Sequence, residues 1–152
     1  MSNPSDTLLE LEASLNAVIE TLIDGQKGFR KIGEELKDPT LKLYFLEESL
    51  RRAEFRGDLE TILHQEGVHD IHESGTMTAT VLRTWAEIKE TLGGGDNSLL
   101  ESAEQDEHAA LDVYKEALMT ELPFPVRELL NSQAAHILRF HDYAKAVRQR
   151  AS

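Results

Sequence analysis

The chain has 152 residues, 28 of them Asp or Glu against 16 Lys or Arg, for a formal net charge of −12 and no cysteine. Such an acidic balance argues against nucleic acid and anionic membranes as partners, and no apolar run approaches the roughly 18 residues that span a bilayer. The missing thiols exclude disulfides, thiolate zinc sites and thiol catalysis.

The first element follows from spacing. Leu8, Leu11, Leu15, Val18, Ile19, Leu22, Phe29, Ile32 and Leu36 recur at helical intervals, which predicts a rod of roughly 44 Å. Pro4 suits a first helical turn, with Asn3 as a cap before it. Gly25, Gly28 and Gly33 each weaken this helix by about 1 kcal/mol against alanine, so they predict close approach of a neighbouring helix or a kink. Lys37-Asp38-Pro39-Thr40 is a tight break in which Asp38 can cap and Pro39 can start a helix. A connection this short makes the next helix an antiparallel neighbour.

That second helix is expected over Thr40 to Glu66, with Leu41, Tyr44, Phe45, Phe55, Leu59, Ile62 and Leu63 on its apolar face. Glu48 and Arg52 interrupt the same face near its midpoint. Gly67 to Gly75 reads as a loop, and Thr76 to Leu92 as a shorter helix carrying Leu82 and Trp85. Gly93-Gly94-Gly95-Asp96 ends it. Ser98 followed by Glu101 matches a capping box, so a third long helix is expected from there to about Thr120. Its apolar stripe of Leu100, Ala103, Ala110, Leu111, Tyr114 and Leu118 contains Glu107. Leu122-Pro123-Phe124-Pro125 forces a turn, and a last helix runs from Val126 to Gln149 with Gln133 and His136 inside its apolar stripe. No stretch carries a strong β-strand signal.

Four long helices thus carry the core, and three of them place polar residues inward near the midpoint. A buried carboxylate such as Glu107 is expensive unless a cation, a metal or hydrogen-bond donors pair with it. Packed helices of similar length bring their midpoints to one depth. Glu48, Arg52, Glu107, Gln133 and His136 are therefore expected to form a polar layer inside the bundle, with the Tyr114 hydroxyl reaching it. Arg52 is the expected partner of Glu107, since an arginine satisfies a buried carboxylate with two parallel hydrogen bonds.

The pattern of Glu107 followed by Tyr114 at plus seven resembles the third core helix of ferritin-like carboxylate-bridged di-iron proteins. Phe45 before Arg52, Val126 before Gln133 and His136, and Phe29 on the first helix extend the resemblance over nearly the whole chain. LIDGQKGFRKI, LEESLRRAEF and the triple-glycine break before a Glu-rich helix are similar to an uncharacterised bacterial four-helix-bundle branch of that superfamily. The resemblance implies an all-α, ferritin-like four-helix bundle forming a single domain over 1–152. It also implies a long second-to-third crossover containing the extra short helix. By the same resemblance the six metal-ligand slots fall on Leu22, Arg52, Phe55, Glu107, Gln133 and His136, of which only Glu107 and His136 are of ligand type. The layer then reads as a vestigial site, with no catalytic residue, cofactor or metal assigned.

Two functional classes are left. One is a non-catalytic interaction or stress-associated bundle in which an ion-pair network has replaced the di-iron site. The other is an iron-binding or oxidase-like protein with an altered set of Glu48, Glu107 and His136, with Asp24 as a further donor. Arg52 discriminates between them: a guanidinium pointing into the bundle weakens the second. His64, His69 and His72 form a separate imidazole cluster, though His69 and His72 fall in a polar loop. Glu47 with Glu48, and Glu101 with Glu104, read as solvated helix faces rather than acid–base pairs, and His108 points away from the core. The N-terminal MSNPSDTLLELEASL lacks the basic and apolar regions of a secretory signal, so a cytoplasmic location is expected. A homodimer through an exposed apolar helix face is open to such a bundle, and no protein partner is legible.

Overall fold

The computed structural model describes residues 4–67 and 95–151. These form four helices: α1 (Pro4–Glu35), α2 (Pro39–Gln65), α3 (Asp96–Leu118) and α4 (Phe124–Ala151), with no β-strand among the described residues. The α1–α2 break forms as the Asp38-Pro39 pair dictates. Asp38 caps α2 by accepting from the Thr40 and Leu41 N–H groups at 2.9 and 3.1 Å, and Pro39 opens the helix. At the other end of α2, Gly67 takes a φ of +91°, the left-handed conformation that closes a helix and favours glycine.

Side-chain partners set the helix directions. The Ser49 hydroxyl donates to the Gln26 carbonyl at 2.7 Å and Leu46 packs over Gly33, so α1 and α2 are antiparallel neighbours. Tyr114 meets Gln133 while Arg148 meets Glu104, so α3 and α4 are antiparallel too. The Asp96 carboxylate accepts from the Lys37 and Asp38 N–H groups at 2.9 and 3.0 Å, and Asp24 shares a cleft with Asp106 further along. Hence α3 runs opposite to α1. Two helices that each oppose α1 run parallel to one another, so α2 and α3 lie parallel on the bundle's diagonal. The end of α2 and the start of α3 accordingly sit at opposite ends of the bundle. That is the relationship expected of a crossover. The short helix expected over 76–92, with Leu82 and Trp85, lies outside the described residues, as do His69 and His72.

The start of α3 differs from expectation. Ser98 does not cap α3, which starts at Asp96 behind Gly95; the Ser102 hydroxyl instead donates back to the Ser98 carbonyl at 3.0 Å. Asp96 overrides the capping box because its carboxylate holds the α1–α2 turn, fixing the chain in helical register two residues earlier. Beyond α3, the Arg127 guanidinium donates to the Leu118 and Thr120 carbonyls at 2.9 and 2.8 Å. It thereby satisfies acceptors that the helix end leaves open.

The apolar core falls into two clusters. One gathers Leu15, Ile19, Leu22, Leu59, Leu63, Tyr114 and Leu130; the other gathers Phe29, Ile32, Phe45, Leu100 and Phe140. In the second, Phe29, Phe45 and Phe140 contact one another with ring centroids 5.1 to 5.9 Å apart. Full burial of a side chain of this kind is worth about 1.5–3 kcal/mol. On α2 the border between the clusters falls between Phe45 and Leu59, and on α3 between Ala103 and Ala110. The polar residues occupy that border.

Candidate functional site

The layer is built around Arg52. Its position on α2, seven residues after Phe45 and seven before Leu59, puts it on the buried face, and it has no exposed surface. Its Nε donates to Glu48 one turn earlier at 2.8 Å, and its Nη2 donates to the Glu107 carboxylate across the diagonal. The guanidinium carbon lies 4.9 Å from the Phe29 ring centre and 5.9 Å from that of Phe140, so the cation rests on the aromatic cluster. Gly25 faces the guanidinium: a Cβ there would sit 3.6 Å from Arg52 Nη1, in ordinary van der Waals contact, so alanine fits but the space beyond it is taken by the Arg52 side chain. Burial works against the Arg52 charge, but Glu107 and Glu48 outweigh it and hold the guanidinium protonated.

Glu48 is shared. His136 Nε2 lies 2.9 Å from both of its carboxylate oxygens, so α4 is tied to α2 through the same residue that α2 uses to hold Arg52. The Phe55 ring stands edge-on to the His136 imidazole, with centroids 5.3 Å apart. One turn along α4, Gln133 accepts from the Tyr114 hydroxyl at 2.7 Å and donates to the Phe55 carbonyl at 3.2 Å. Burial pushes the Tyr114 phenol well above its ordinary range, so it serves as a neutral donor.

The six residues singled out in the sequence thus lie at one level in two connected groups. The first is His136–Glu48–Arg52–Glu107, and the second is Tyr114–Gln133. Of the other residues weighed, Glu47, Glu101, His64 and His108 are exposed. Glu104 corrects an expectation. It is buried rather than part of a solvated face, and its carboxylate takes the Arg148 guanidinium of α4.

The site also contains a residue that spacing did not single out. Asp106 stands beside Glu107 and lines, with Asp24, a cleft between α1 and α3. The signal was present: Leu99, Ala103, Asp106, Ala110, Val113 and Ala117 form a second helical stripe on α3, the one that faces α1. Burial pushes the Asp106 carboxyl from 3.8 up to about 7, helped by the charges of Glu107 and Asp24. Burial likewise raises Asp24 from 3.8 to about 6, with Glu20 adding to the shift and Lys27 opposing it. Burial also raises Glu107 from 4.5 to about 7, against the pull of Arg52.

In chemical terms the layer holds one fixed cation paired with two acidic side chains, a neutral phenol and an imidazole in contact with carboxylate, and beside it the raised carboxyl of Asp106. Among the described residues no three His, Asp or Glu side chains are grouped as a metal site requires. No helix among them is long and apolar enough to cross a membrane.

Comparison with known proteins gives a family and no activity. No curated protein matches the chain. The family model described as a domain of unknown function, DUF2383, matches residues 10–120, which takes in α2, α3, most of α1 and the Arg52–Glu107 pair. The chain belongs to the DUF2383 family.

Proposed function

We propose that this protein is a ferritin-like bundle in which an ion-pair network stands where a di-iron site would be, and that it acts as a non-catalytic interaction protein. The observation that carries this reading is the position of Arg52. Its guanidinium points into the bundle and is held between the carboxylates of Glu48 and Glu107. An arginine cannot give up its proton in a protein, so it occupies the space with a permanent positive charge.

The donors do not fit a di-iron centre. Of the six slots that the resemblance implies, Leu22 and Phe55 have no donor atom, Arg52 is a cation and Gln133 is engaged by Tyr114. Glu107 and His136 are left, and two ligands do not hold two metals. The diagonal, parallel arrangement of α2 and α3 supports the ferritin-like part of the reading. Leu43 and Leu50, seven residues apart and 59% and 66% exposed on the outer face of α2, support a role in contact with other proteins.

The alternative, one metal on Glu48, Glu107 and His136, is disfavoured by the same guanidinium, which separates Glu107 from the Glu48–His136 contact. Anaerobic loading with ferrous iron, desalting and metal analysis test the two. We expect retention well below roughly one iron per chain and no ferric-oxo absorption on exposure to air. Two irons per chain, lost in Glu107→Ala, would overturn the reading; a single iron lost in His136→Ala would establish the alternative.

A further inference from the structure

The polar layer is open on one side. Between α1 and α3 lies a half-enclosed cleft of about 250 Å³, lined by Thr21, Asp24, Phe29, Arg52, Asp106 and Val113 among others. Two buried polar atoms of these residues have no hydrogen-bond partner: Arg52 Nη1, a donor, and Asp106 Oδ2, an acceptor. Arg52 has no exposed surface, and its Nε and Nη2 are fixed on Glu48 and Glu107, so its third nitrogen cannot turn to solvent. Buried polar groups left in this state are rare and call for a partner.

The charges in the cleft define that partner. Three carboxyl groups, Asp24, Asp106 and Glu107, face one guanidinium. Arg52 is matched by Glu107, which leaves the two aspartates as acceptors with no cation from the cleft's own lining. Lys27 acts on Asp24 from outside the cleft lining, so a positively charged group within the cleft is what the two aspartates lack. The unpaired Nη1–H asks for an oxygen acceptor on the same molecule. A metal ion fits poorly, because it would leave that donor unmet and, among the described residues, no three His, Asp or Glu side chains stand close enough together to hold it. The cleft is smaller than the usual range for drug-sized ligands, about 300–1,000 Å³, which limits the occupant to roughly ten heavy atoms or fewer. The Phe29 and Val113 walls suit methylene groups.

We propose that this cleft binds a small organic ammonium bearing an oxygen acceptor beside its charged nitrogen, an amino alcohol being the simplest form. The ammonium is held by Asp24 and Asp106, and the oxygen accepts from Arg52 Nη1. This site does not depend on whether the layer descends from a di-iron centre.

The test is a titration of the full chain followed by amide NMR shifts at about pH 8, where both aspartates are ionised. The probes are 2-aminoethanol, ethylamine, which lacks the acceptor, and ethylene glycol, which lacks the charge. Saturable shifts around the cleft are expected with 2-aminoethanol, severalfold weaker binding with ethylamine, and no saturation with ethylene glycol. In Asp106→Asn, which removes a charge without changing shape, the affinity for 2-aminoethanol should fall about tenfold or more while the helical circular dichroism is kept. Asp24→Asn supplies the same comparison if the first variant fails to fold. No saturation by 2-aminoethanol, equal binding of ethylamine, or unchanged affinity in a folded aspartate variant would each overturn the proposal.

Discussion

Arg52 of α2 and Glu107 of α3 are joined by a hydrogen-bonded ion pair across the diagonal of the bundle, and neither side chain reaches solvent in any useful measure. The pair is one link in a longer chain. His136 of α4 meets Glu48, Glu48 meets Arg52, and Arg52 meets Glu107, so three helices are registered through a single guanidinium. The fourth, α1, contributes the Phe29 ring beneath the cation and the Gly25 gap beside it.

The energetic consequence of such a pair is asymmetric. Removing one charge leaves the other buried without a partner, whereas removing both leaves only a packing problem. Arg52→Met and Glu107→Leu should each lower the unfolding free energy by about 3–5 kcal/mol, and the double variant should recover much of that loss. Urea denaturation of the four proteins measures the coupling. Simple additivity would mean that the two side chains do not depend on each other in solution.

Stability should fall as pH rises from about 4 to about 7, because the folded state holds protons on Asp24 and Asp106 that the unfolded state has released. Asp24 and Asp106 have carboxyls raised by burial from their ordinary 3.8 to about 6 and about 7. Their contribution is fully present below the unfolded values and is lost as pH passes through the folded ones. The net charge of −12 acts in the same direction, through self-repulsion that grows with pH. The urea midpoint should therefore be higher at about pH 5 than at about pH 8, and Asp106→Asn should reduce the difference and raise the midpoint at the higher pH. An unchanged pH slope in Asp106→Asn would show that this carboxyl is not protonated in the folded protein.

What the sequence made legible depended on one contrast, a polar residue inside an apolar stripe. That contrast marked Glu48, Arg52, Glu107, Gln133 and His136, because each stripe was continuous enough to show its interruption. Asp106 escaped it. α3 packs on two neighbours and so has two buried stripes that share Ala103 and Ala110, so the one facing α1, completed by Leu99, Val113 and Ala117, does not stand out as a separate face whose interruption shows. Glu104 escaped for a different reason: its partner, Arg148, is 44 positions away and on the last turns of α4, where a basic residue needs no explanation. The start of α3 was misplaced because its decisive contact is with Lys37 and Asp38, and no local signal reports a bond to a distant turn.

Glycines with the same helix propensity should respond oppositely to alanine. At Gly33 a Cβ would stand 2.8 Å from Leu46 Cδ2, 2.9 Å from Cγ and 3.3 Å from the Leu46 backbone nitrogen. The helix gains about 1 kcal/mol of propensity, but overpacking costs about 1–3 kcal/mol because backbone as well as side chain must give. Gly57, in the interior of α2, has nothing within 4 Å of the added atom, so alanine there should stabilise by up to about 1 kcal/mol. Thermal midpoints of Gly33→Ala and Gly57→Ala that moved the same way would show that α1 and α2 are not held this close in solution.

The last prediction concerns the turn that sets where α1 ends and α3 begins. The Asp96 carboxylate accepts from the Lys37 and Asp38 N–H groups, and the Asp38 carboxylate in turn accepts from the Thr40 and Leu41 N–H groups. Both sets of bonds are near solvent, so water replaces part of what a mutation removes. Asp38→Ala should cost about 1 kcal/mol, the ordinary value for losing a helix N-cap. Asp96→Ala should cost a similar amount, about 1 kcal/mol, since it loses two bonds to backbone N–H groups and a negative charge in the first turn of α3. The two residues are not independent, because Asp96 holds the backbone of Asp38 in the extended conformation, φ −68° and ψ 120°, from which its side chain caps. Once Asp96 is gone, the Asp38 cap is less well placed and is worth less. The double variant should therefore lose less than the sum of the singles, by about 0.5 kcal/mol or more. Denaturation curves that add within about 0.3 kcal/mol would show that the two carboxylates act separately, and that Asp96 does not organise the start of α2.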